Sequence, residues 1–174
     1  MVIFMNNRYF YFVILLIFSM IFFTGCDSKK EKKESISLEK GAITVTCRSN
    51  NLGDSVIKMK STVISNFDKN QVIMNYSVET VEEHEDTKSF QERKKIYDET
   101  YKEMKDTEEY SYIYKVDEEK RIFTMISLVK NIDISEYGEE ERKTYELKNY
   151  IKNYEDGAYH CSLDGITRKE LGLK

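Results

Sequence analysis

The chain has 174 residues and a formal charge of −4, with Lys and Glu interspersed along it and no basic stripe. That distribution describes a solubilising surface and excludes nucleic acid as a partner. With 13 tyrosines, 9 phenylalanines and no tryptophan, any core must take its large side chains from Tyr and Phe.

Residues 1–25 carry one charge, Arg8, ahead of an apolar run from Tyr9 to Phe23. The run is about 15 residues, short of the roughly 20 that a spanning helix needs and within the range of a signal-peptide core. It closes on Phe23-Thr24-Gly25-Cys26, which resembles a bacterial lipobox: small residues precede a cysteine whose sulfur receives lipid, and the leader is cut just before it. The expectation is a lipoprotein signal peptide over 1–25, lipidated Cys26, and a domain held on the extracytoplasmic face of the cell membrane by its acyl chains. The alternative is an uncleaved anchor, which leaves the domain on the same side. Residues 26–40 are, after Cys26 and Asp27, Lys, Glu and Ser with Ile36 and Leu38 the apolar exceptions. Such a segment buries too little surface to offset its ordering and reads as a flexible tether. Residues 41–174 are then one domain.

From Gly41 the hydrophobic period is two. Ile43, Val45 and Cys47 alternate with Thr44, Thr46 and Arg48, and Ser49 to Asp54 reads as a turn. A second strand runs from Ile57 to Phe67, and Asp68-Lys69-Asn70 reverses the chain. Val72, Met74, Tyr76 and Val78 are the expected inner face of a third strand, which completes a meander. The period becomes helical from Thr87 to Lys105, where Phe90, Tyr97, Tyr101 and Met104 form the apolar stripe. Ser89 with Glu92 forms a candidate capping box, with Asp86 or Thr87 as alternative caps. Tyr110, Tyr112, Tyr114 and Val116 begin a hairpin that turns at Asp117–Lys120 into Ile122–Val129. That last strand is apolar on both sides, which predicts a central, fully covered position. A second helix is expected from Glu139 to Tyr154, ended by Gly157. Ala158–Leu163 reads as a short extended piece, and Gly165–Lys174 as one frayed helical turn. The order βββ-α-ββ-α predicts an α+β domain: an antiparallel sheet of about five strands with two amphipathic helices on one face.

With Cys26 committed to lipid, Cys47 and Cys161 remain as an even pair in an oxidising compartment and are expected to be bonded, two free buried thiols being the alternative. Their spacing is not the Cys-x-x-Cys of redox enzymes.

Thr44-Val45-Thr46-Cys47, the hairpin through Asp68-Lys69-Asn70 and Gly157-Ala158-Tyr159-His160-Cys161, together with the leader, resemble the YehR-like family of small bacterial lipoproteins across most of residues 41–161. The resemblance implies a fold, a membrane-anchored address and the cysteine pair. It implies no catalytic residues.

The chain has no Gly-rich phosphate loop, no Gly-x-Ser-x-Gly and no His-Glu-x-x-His. His84, within Val81-Glu82-Glu83-His84-Glu85-Asp86, is a weak candidate metal ligand on what reads as an exposed, solvated link. His160 beside Cys161 has the residue types of a Cys–His nucleophile, but a bridged sulfur is unavailable. Tyr110, Tyr112 and Tyr114 share one strand face, either packed under a helix or forming a ligand platform. No cofactor is called for. The sequence therefore predicts a membrane-anchored, non-catalytic binding module for an unknown protein or small envelope ligand, the alternative being a cell-envelope enzyme or metal-dependent accessory.

Overall fold

The computed structural model describes residues 38–50, 52 and 57–173. The leader, Cys26 and the tether up to residue 37 lie outside the described residues.

The strands are β1 (Ile43–Ser49), β2 (Ile57–Phe67), β3 (Ile73–His84), β4 (Tyr110–Asp117), β5 (Ile122–Val129) and β6 (His160–Asp164). They form one antiparallel sheet in the order β4-β5-β3-β2-β1-β6. The helices are α1 (Thr87–Glu103), α2 (Glu139–Tyr145) and α3 (Leu147–Asp156), with a 3₁₀ turn at Ile134–Glu136. The architecture is the expected α+β fold with one strand and one helix more than the sequence predicts.

The extra strand is the tail. β6 pairs with β1 so that Cys161 lies opposite Cys47, and the two are joined in a disulfide. The extra helix comes from a break at Glu146, whose backbone is extended (φ −62°, ψ 130°). Asn149 bridges the break, its side-chain amide donating to the Lys143 carbonyl and the Glu146 carboxylate. α3 buries Leu147, Tyr150 and Ile151, whereas α2 has no buried residue.

Both sheet-packing helices lie on one face. Pairing places Val45, Val63, Val78, Glu82 and Phe123 on that face, since directly opposed residues in an antiparallel ladder share a side. α3 covers its β1–β2 half, where Tyr150 packs edge-on against Phe67 and shares a hydrogen bond with Ser65. α1 covers the β3–β5 half, where Phe90 stacks on Phe123 at 4.7 Å.

Three expectations need correction. Ile73, not Val72 and Met74, meets Phe67, because the register slips at a bulge between Asn66 and Phe67; Val72 is left exposed. β5 is central in pairing, yet Ile122 and Ile126 on its second face are only half-buried, so it is not fully covered. The C-terminal turn is held down: Leu171 enters the core, and Arg168 grips Glu155 with two bonds of 2.7 and 3.0 Å. The turn leading into it needs Gly165, which sits at φ +88° where a Cβ would strike the Ala42 carbonyl.

Candidate functional site

The segment Val81–His84 is strand, not solvated link. Period two continues through Val78, Thr80, Glu82 and His84, so this acidic stretch aims two polar side chains under α1. Glu82 is 2% exposed and His84 1%. Buried charge-bearing groups are costly unless paired, and the partners come from one side of α1. Tyr97 donates its hydroxyl to Glu82 Oε1 at 2.7 Å, Ser89 Oγ lies 2.8 Å from His84 Nδ1, and the Arg93 guanidinium approaches Glu82 Oε2 at 4.0 Å. Glu82 Oε2 and His84 Nε2 face each other at 3.5 Å and have no hydrogen-bond partner among the described residues. Phe90 and Phe123 wall the imidazole edge-on.

Two further features lock this junction. Asp86 caps α1 through Ser89 N at 2.7 Å, which settles the cap among the candidates. Arg121, at φ 55°, binds the carbonyls of His84 and Glu85 with its guanidinium. A left-handed non-glycine residue costs energy, so it persists where surrounding contacts over-determine it.

The tyrosine row divides. Tyr114 joins an aromatic cluster under α1, stacked on Tyr101 at 4.6 Å and near Tyr97 and Phe123. Beyond this stack the crevice between α1 and β4 opens as a groove of about 570 Å³, lined by Asp98, Tyr101, Lys102, Asp106, Tyr112 and Tyr114 among others. Tyr114 donates to Asp98 at 3.0 Å, and Lys94 holds the same carboxylate at 2.7 Å. That hydrogen bond from Lys94 is the chief reason the Asp98 carboxyl lies below its usual range. Burial, reinforced by the Glu82 carboxylate, pushes the Tyr101 phenol up to about 12. Burial first, then Glu82, raises Tyr97 as well. The phenols therefore stay protonated at neutral pH and act as donors.

Of the residues singled out in the sequence, Cys47 and Cys161 meet, His84 moves from surface to core, and His160 is exposed beside a sulfur already in a disulfide. Cys26 lies outside the described residues. Among the described residues no group of three or more His, Cys, Asp or Glu side chains converges on a metal position. Sequence reasoning missed Glu82, Ser89 and Arg93 as a unit. The legible signal was polar alternation running on from an apolar strand into a helix whose residues 89, 93 and 97 share one face. Comparison with protein-family models, curated proteins and solved structures returns no match.

Proposed function

We propose that the protein is a membrane-anchored extracytoplasmic lipoprotein of the YehR-like kind, whose domain is a non-catalytic binding module with its ligand site in the groove between α1 and β4. The observation that carries the binding reading is that groove: part of the tyrosine row is not consumed by the core and lines an open cleft with polar groups at its rim. The address rests on Phe23-Thr24-Gly25-Cys26 after the apolar run. The Cys47–Cys161 bond supports it, because such bonds persist in oxidising compartments.

Ser89, His84 and Glu82 have the residue types of nucleophile, base and orienting acid, which is what favours the envelope-enzyme alternative. Glu82 and His84 are buried at the root of α1 and do not line the groove. Their part in the binding module is to position that helix, the wall of the cleft.

Cys26→Ala tests the anchor. Mass spectrometry should show loss of the acyl chains, and the protein should leave the membrane fraction or accumulate as precursor; unchanged mass with unchanged membrane retention would refute lipidation.

A further inference from the structure

We propose that the groove between α1 and β4 takes a neutral sugar ring, an inference that rests on reading the domain as a binding module. The charges along the lining are offset locally. Asp98 is held by Lys94 and by the Tyr114 hydroxyl, Asp106 commits one oxygen to the Tyr112 amide at 2.8 Å, and Lys102 stands on the same wall. A phosphate or an ammonium entering here meets charges of both signs close by, so electrostatics selects neither. What the lining offers is phenol rings beside hydroxyl, carboxylate and ammonium groups. A pyranose matches both: its C–H face packs on aromatic carbon, and its hydroxyls donate to carboxylates and accept from Lys and Tyr.

The competing occupant is an extended peptide added to the edge of the sheet. β4 is that edge, but three backbone groups at its start, beside the groove, are already taken from the same chain. The Tyr110 amide is taken by Thr107 Oγ1 at 3.0 Å, the Tyr110 carbonyl by the Thr107 amide at 2.7 Å, and the Tyr112 amide by Asp106. Strand addition needs those groups. The loop that blocks it is also the loop that closes one end of the groove, leaving side-chain recognition as the available mode.

The experiment uses the full chain in a detergent without sugar head groups, titrated with chitotriose, maltotriose, trilysine and triglutamate while tyrosine emission is followed. At least one saccharide should give a saturable change. Tyr112→Ala should weaken it about tenfold, the ~1.4 kcal/mol that one aromatic contact supplies. Lys102→Ala, at an exposed position, should weaken it a few-fold without altering circular dichroism or the melting temperature, which guards against misfolding of the tyrosine variant. Saccharide binding unchanged in both variants would overturn the proposal. Saturable binding of a charged tripeptide that Tyr112→Ala weakens, with no response to saccharide, would overturn the sugar and keep the binding module. No response to any of the four would overturn both.

Discussion

Tyr97 joins helix to sheet through one hydroxyl, and its ring packs on Phe123 while Arg93 lies 5.6 Å above it. Tyr97→Phe keeps the ring and strips Glu82 Oε1 of its donor in a buried site. The expected cost is about 1–3 kcal/mol, read as a lower urea midpoint with unchanged slope; an unchanged midpoint would show that Glu82 draws nothing from this bond. The same phenols set an alkaline limit. Tyr101 and Tyr145 are pushed up to about 12 by burial, against about 10 for a free phenol. In the unfolded chain these groups ionise first, so the stability tied to their neutral form is complete below about pH 10 and is lost as pH rises towards about 12. Phenolate absorbance should therefore rise in two waves, exposed tyrosines first and buried ones with unfolding; one wave in a chain still folded would contradict the burial.

At the scale of elements, the two sheet-packing helices are seated differently. α3 sinks three of its 10 residues into the core, while α1, with 17, fully buries Phe90 alone and adds the half-buried rings of Tyr97 and Tyr101 on Phe123 and Tyr114 together with the Tyr97–Glu82 and Ser89–His84 bonds. Phe90→Ala should cost about 3–5 kcal/mol. Hydrogen exchange should show the loss concentrated in α1, with β1, β2 and α3 still protected. Uniform loss across both halves would mean that the sheet does not fold independently of α1. A helix held by polar latches is also the wall of the groove, which links the way α1 is seated to what the cleft can admit.

For the whole molecule the decisive tie is β6. The disulfide spans 114 residues and fixes the C-terminal strand beside the first. A loop of that length is worth about 4–5 kcal/mol in the chain-entropy model. Cys47→Ala with Cys161→Ala should lower unfolding free energy by about that amount, measured by denaturant titration, and non-reducing peptide mapping of the native chain should recover the linked pair. An undiminished free energy would assign the closure of β6 to Leu163, Leu171 and the Arg168–Glu155 pair instead.

The sequence by itself determined what is local. Period-two runs at 43–48 and 57–67 and the helical stripe through Phe90, Tyr97 and Tyr101 follow from neighbours a few residues apart, and the α+β class follows from their order. Only the tertiary structure decided what depends on distant partners. Glu82 and His84 look like solvated loop because burial of a polar residue is intelligible only once Tyr97, Ser89 and Arg93 are brought over it. Whether Tyr110, Tyr112 and Tyr114 are core or surface depends on where α1 ends across them. The Asn66/Phe67 bulge turns Ile73 inward in place of Val72 and Met74 at the start of β3 while leaving Tyr76 and Val78 facing the core, and no local pattern announces it, because register is a property of two strands and not of one.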